Sequence, residues 1–286
     1  MKKLIRIFLV LGFGLIYLFI YSWITNTNIR ILIRHASKFS IGTEEVKPAC
    51  KKGVEYKVPC IVHYIWFSRN GKEKMQFHHA LSIISAYKFI NPDKIHYHYD
   101  VLPLGKWWDY ILKNIPNIVL IKTDRPKQVF GVPLRQIAHQ SDIKRFEIMR
   151  KTGGIYLDND RLPGAVGNGI IVSVKNATIL NIWWDTYRNF TSNEWAYHAC
   201  VIPAKLAKMY PDLIHVEIGT MNYPPWTSDG LRLLYDSVCD WSKNYCVHMW
   251  YRLRPYNYNP ENIKTMNTTF GQMARYVFYG SKDIKN

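Results

Sequence analysis

HQSDIKRFEIMRKTGGIYLDND, residues 139–160, decides how the rest of the chain is read. Ser141 is a good N-cap, so a helix is expected from there to Thr152, with Gly153 as its stop. Gly154 to Leu157 then reads as a short strand ending at Asp158. A helix delivered directly into a strand is the repeating unit of an α/β domain with a mixed, mainly parallel sheet. Ligands of such sheets sit beyond the carboxyl ends of the strands, where Asp158, Asn159 and Asp160 fall.

The flanking sequence repeats the alternation. VPCIVHYIWF (58–67) is short, apolar and rich in β-branched and aromatic residues, as expected of a buried strand. A helix is expected near His78–Phe89, stopped by Asn91-Pro92. Further strands are expected at Lys94–Tyr99, Asn117–Lys122, Ile170–Val174 and 244–250 (NYCVHMW). Further helices are expected at Trp107–Lys113, Thr178–Arg188, around Tyr197–Met209 and at Phe270–Phe278.

Two features of the central stretch carry chemistry. Residues two apart in an extended loop point the same way, so Asp158 and Asp160 can face one hard cation, Mn²⁺ or Mg²⁺. Asp142, Arg145 and Met149 stand at i, i+3 and i+7, on one face of the preceding helix. By themselves Asp142 and Arg145 read as an intrahelical ion pair.

Lysine and arginine outnumber aspartate and glutamate 38 to 21, a net charge of +17. A basic surface attracts anions of many kinds. No RNP motif, zinc-finger spacing or basic helical stripe accompanies the charge, so nucleic acid is set aside as a partner. Residues 7–24 are uncharged and apolar and, as a helix, would extend about 27 Å, close to the thickness of a bilayer core. They read as an uncleaved signal anchor, because no small-residue cleavage site follows. Residues 1–6 would then be a cytosolic tail, 25–56 a polar stem and 57–286 the folded domain. Three N-x-[ST] sequons, at Asn176, Asn189 and Asn267, lie beyond the span, as do all five cysteines. Both point to a lumenal placement of that part, with Cys50–Cys60 and Cys239–Cys246 as plausible local pairs.

Ser141-Asp142-Ile143-Lys144-Arg145 and Gly153-Gly154-Ile155-Tyr156-Leu157-Asp158-Asn159-Asp160 resemble the D-x-D sugar-binding region of glycosyltransferases with the GT-A fold. That group includes α-1,4-galactosyl and α-1,4-N-acetylglucosaminyl transferases. VPCIVHYIW (58–66), with Pro59, His63 and Trp66, resembles the family's first strand, and Val247-His248-Met249-Trp250 its late His-x-Trp strand. The matches span about residues 57–280.

The resemblance implies a Rossmann-like nucleotide-sugar-binding domain in a Golgi, single-pass type II membrane enzyme. It would transfer a hexose or N-acetylhexosamine from a UDP-sugar to a glycolipid or glycoprotein glycan, with retention and a divalent metal. Trp66 would stack on the base, Asp142 and Arg145 would hold the donor, and Tyr156 would line its pocket. Asp158, Asp160 and His248 would form the metal or phosphate site, with Asp158, Asp160 and Arg145 as the catalytic set. Asn168, Trp195 and Trp226 would meet the acceptor. One departure stands out: only Arg161 to Gly167 bridge Asp160 and Asn168, a shorter stretch than in the family. It leaves the alternative of a catalytically impaired, membrane-anchored homologue that binds nucleotide sugar or glycan.

Overall fold

In the computed structural model, residues 48–158, 168–194, 196–217, 219–221 and 223–285 are described. The apolar run 7–24, most of the stem, Asp160, the 161–167 bridge and Trp195 lie outside them. Among the described residues, no helix is long and apolar enough to cross a membrane.

Five strands form one sheet in the order β3-β2-β1-β6-β7. They are β1 Ile61–Trp66, β2 Lys94–Tyr99, β3 Ile118–Lys122, β6 Gly154–Leu157 and β7 Ile170–Ser173. Strands β1, β2, β3 and β6 run parallel, with His63 opposite both His96 and Tyr156. β7 returns antiparallel along β6, so the sheet is mixed and mainly parallel, as expected. Strand β1 is central and buried on both faces, which is why its sequence is almost continuously apolar and aromatic. A small hairpin, β4 Gln128–Val129 with β5 Val132–Pro133, precedes the central helix.

Alternation along the strands divides the core. Val62, Tyr64, Ile95 and Tyr97 point to the side covered by α1 (Phe77–Ser85) and α2 (Lys106–Asn114). Ile65, Tyr156 and Ile171 point to the other side, against α3 (Ile137–Thr152), α4 (Thr178–Thr186) and α5 (Ile202–Met209). A third apolar cluster joins α1 to α6 (Ser228–Tyr235), α7 (Pro260–Thr265) and α8 (Thr269–Tyr279) around Trp250.

Several expectations need correction. Helix α3 begins at Ile137, with Gln136 in extended conformation before it, so Ser141 is an interior residue and not the cap. His139, in the added first turn, is buried with its ring edge-on to Phe190 at 5.2 Å, so this turn belongs to the core. Residues 244–250 form no strand; Cys246 makes only an isolated bridge with Met221. Val247, Met249 and Trp250 pack into the third cluster, while Tyr245 is exposed. The disulfide Cys50–Cys60 forms. Cys239 keeps its thiol and accepts a hydrogen bond from Thr269 Oγ1 at 3.4 Å, so the Cys239–Cys246 bridge is not made. The first described residues are already part of the domain, because Ala49 and Cys50 donate backbone hydrogen bonds to Phe89 and Ile90. The stem boundary drawn at residue 56 therefore falls inside the folded unit.

Burial keeps several core histidines neutral. It lowers His63 to about 4, assisted by His96, and His98 to about 3, assisted by His63, His96 and Lys144. Burial alone takes His79 to about 4. An unfolded histidine titrates near 6.5, so above that pH these rings are neutral in both states and their contribution to stability is intact. As pH falls from about 6.5 toward 4, the unfolded chain takes up protons first and stability is lost, by up to about 1.4 kcal/mol per pH unit for each ring. The urea midpoint is expected to be markedly lower at pH 5 than at pH 7.5. An unchanged midpoint would show that these rings are accessible to protons in the folded state.

Candidate active site

Asp142, Arg145 and Met149 all face the sheet from α3, and each is nearly inaccessible to solvent. The helical spacing places them over β6, where Tyr156 points to the same side. The Arg145 guanidinium lies over the Tyr156 ring, 4.6 Å from its centroid. Its Nη1 donates to the backbone oxygen of Asn168 at 2.7 Å and to Asn168 Oδ1 at 2.8 Å. Its Nη2 lies 3.2 Å from Asp142 Oδ1 and 3.1 Å from Asp158 Oδ1. Nε reaches the Ser141 carbonyl at 3.4 Å.

Asn168 Nδ2 closes the network by donating to Asp142 Oδ1 at 2.9 Å. Burial opposes the charge on Arg145, but Asp158, Tyr156 and Asp142 outweigh it and hold the guanidinium above its ordinary value. Burial pushes the Tyr156 phenol well above its usual range, so it keeps its proton and donates a hydrogen bond to Asp158 Oδ1 at 2.6 Å.

Asp158 therefore stands at the carboxyl end of β6 with its carboxylate oriented by two donors, Tyr156 and Arg145. Its own N–H is fixed to Gly169 O at 2.9 Å, where β7 begins. The cluster joins four of the residues expected on the donor side. The fork of Arg145 is occupied by protein carboxylates and carbonyls, so in this arrangement it holds Asp142 and Asp158 in place. A carboxylate at this position fits a hard divalent cation in donor chemistry.

Trp66 ends β1 at the same edge of the sheet, because β1 and β6 are parallel. Its ring meets His79 edge-on at 5.2 Å between centroids. Beside it, His78 stacks on Tyr251 at 3.8 Å. The indole Nε1 of Trp66 and Nε2 of His78 are buried with no protein partner, so this end of the sheet offers polar atoms to a ligand. His78, His79 and Tyr251 were not legible as site residues; an adjacent histidine pair in a first helical turn has no motif spacing to mark it. His248 stacks on Trp250 at 3.9 Å, and its Nδ1 accepts the Trp250 N–H at 3.1 Å. A neutral ring accepting at Nδ1 carries its hydrogen on Nε2. This tautomer suits a donor to a phosphate oxygen and does not suit a metal ligand.

Asn168, expected on the acceptor side, is instead 1% exposed and bonded on both ends of its amide to Arg145 and Asp142. Trp226 is 46% exposed on the loop before α6. The prolines preceding it pack elsewhere: Pro224 O accepts from Trp250 Nε1 and Pro225 lies against Gly230. Asn176, Asn189 and Asn267 are all at the surface.

No family model matches the chain. Glucan organizing enzyme 1 of Cryptococcus neoformans var. grubii serotype A is 30% identical over 274 residues, covering 82% of this chain and 73% of that protein. The solved structure of the PaToxG glycosyltransferase aligns at a TM-score of 0.40 and 21% identity, over 55% of this chain and 71% of its own.

Lysine at position 145 would keep the charge and lose the planar guanidinium that serves five acceptors at once. Arg145→Lys is expected to lower unfolding stability by about 2–4 kcal/mol. Glu147→Gln touches only the exposed pair with Lys144 and should cost less than about 0.5 kcal/mol. Urea denaturation of the two variants checks this, and equal losses would refute the buried network as a stabilising unit.

Proposed function

We propose that this chain, which belongs to the family of glucan organizing enzyme 1 of Cryptococcus neoformans, is a glycosyltransferase that moves a hexose or N-acetylhexosamine from a UDP-sugar to a glycan. The name of that relative makes glucan the first acceptor class to test. The observation that carries the reading is Asp158, a carboxylate fixed by Tyr156 and Arg145 at the carboxyl end of a parallel strand. That edge is where nucleotide ligands of such sheets bind.

In the reaction, the bond between the anomeric carbon and the diphosphate oxygen breaks. The acceptor hydroxyl oxygen takes its place, and the acceptor proton leaves with the diphosphate. Trp66 offers a face for the base and its buried N–H for a polar group. His248, with its hydrogen on Nε2, donates to a diphosphate oxygen. Tyr156 and Arg145 act through Asp158, holding it in a single orientation so that no reorganisation is needed when charge develops. A bound Mn²⁺ or Mg²⁺ would offset charge on the departing UDP, with Asp158, and Asp160 beyond it in sequence, as the residues to hold it.

The proposed setting is the Golgi lumen, with residues 7–24 as a type II anchor. Surface exposure of all three sequon asparagines supports it, as does the Cys50–Cys60 disulfide, since such bonds persist in oxidising compartments. Cell-made protein is expected to gain gel mobility on endoglycosidase treatment, and a triple Asn→Gln variant at 176, 189 and 267 should not. Protein that never shifts would argue against a lumenal domain.

The chemistry is tested with the full chain against a panel of UDP-sugars and glucan oligosaccharides. UDP affinity should fall at least about tenfold with chelator, a change of about 1.4 kcal/mol, and return with Mn²⁺. Asp158→Asn should remove the metal-dependent part. UDP binding indifferent to both would refute the assignment of Asp158. Metal-dependent binding without any transfer would favour the binding-protein alternative.

A further inference from the structure

A second group of ionisable side chains lies apart from Asp158, on the α3 side of the sheet. His63 of β1 pairs in register with His96 of β2, and His98 lies two residues further along β2 on the same face. One ring nitrogen from each of the three lies within 4.8 Å of the other two. His63 Nδ1 and His98 Nε2 are 3.2 Å apart, and the His63 and His96 ring centroids 5.1 Å apart.

The tautomer of His63 is fixed by its surroundings. His63 Nε2 lies 3.1 Å from the Gly153 carbonyl, which can only accept. Nε2 therefore carries the hydrogen, and the lone pair of the neutral ring is on Nδ1, aimed at His98. A ligating histidine is ordinarily held in this way, with its second nitrogen donating to a carbonyl.

We propose that His63, His96 and His98 bind a zinc ion, independently of the cation at Asp158. Three nitrogens at tetrahedral zinc lie about 3.3 Å from one another. The His63–His98 separation is close to that value, and the third nitrogen, on the half-buried His96 ring, lies within 4.8 Å of both. His96 is only half-buried, which leaves the fourth position open to water and gives the ion a path in.

In the metal-free chain the 3.2 Å contact pairs the His98 Nε2–H with the lone pair on His63 Nδ1, so His98 takes its other tautomer when the ion binds. Neutral imidazoles suit zinc, whereas manganese and magnesium prefer the carboxylate site. Lys144, the cation whose field reaches His98, is paired with Glu147 at 2.5 Å.

The test uses the full chain, stripped with chelator and titrated with Zn²⁺, with bound metal read by elemental analysis. Co²⁺ serves as the probe of tetrahedral geometry through its visible absorption. One equivalent is expected to bind, to raise the thermal midpoint and to survive Asp158→Asn. His96→Gln should lose that equivalent while keeping the midpoint of the metal-free chain. His215→Gln removes a ring from the surface and should change nothing. No stoichiometric zinc, or zinc retained by His96→Gln and lost from His215→Gln, would overturn the proposal. Loss of UDP binding in Asp158→Asn with zinc retained would separate this site from the transfer site.

Discussion

The guanidinium of Arg145 is the constraint on which the candidate site depends. It is buried, charged and bonded to α3 itself, to the end of β6 and to Asn168, two residues before β7. Removing an ion from water costs several kcal/mol unless nearly every hydrogen-bonding position is met. Here Nε, Nη1 and Nη2 all have acceptors, two of them carboxylates. That requirement fixes the distance between helix and strand, and with it the place where Asp158 leaves the sheet. Tyr156 adds a flat surface beneath the cation and a hydroxyl to the same carboxylate.

The second constraint is the junction Gly153-Gly154. Both have positive φ, +66° and +103°. A Cβ on Gly153 would lie 2.5 Å from the backbone nitrogen of Lys175, and one on Gly154 2.6 Å from the carbonyl of Ile61. No side chain fits at either position, so α3 can end directly on the sheet. This close approach lets Arg145 sit above Tyr156, and it also brings the Gly153 carbonyl to His63. One dipeptide thus positions both the carboxylate site and the histidine group.

Local patterns read well where a segment's partners lie nearby in sequence. Lys94–Tyr99 and Gly154–Leu157 form strands with those bounds because alternation and flanking turn residues agree. The late segment 244–250 carries the same β-forming residues, yet Val247, Met249 and Trp250 pack among helices in the third cluster. Ser141 has the chemistry of a cap, yet the helix starts at Ile137, with His139 of its first turn buried in the core. Helices α6 and α7 went unread; each is only a turn or two long, too short for its period to stand out. In the site, Asp142, Arg145, Tyr156 and Asp158 were legible because one helix face and one strand carry them. His78, His79 and Tyr251 were not, because distant segments bring them beside Trp66.

The sequence by itself determined an α/β domain with a glycine-stopped helix feeding a strand that ends in aspartates. Those features depend on local sterics and on the two periodicities of helix and strand. Only the tertiary structure decided what each polar group does. Folding placed Asn168 inside the network, paired His248 Nδ1 with the Trp250 N–H, and set His63 beside His96 through parallel register. Such assignments follow from which carbonyl or carboxylate stands within 3 Å or so of a given atom, and no spacing along the chain encodes that.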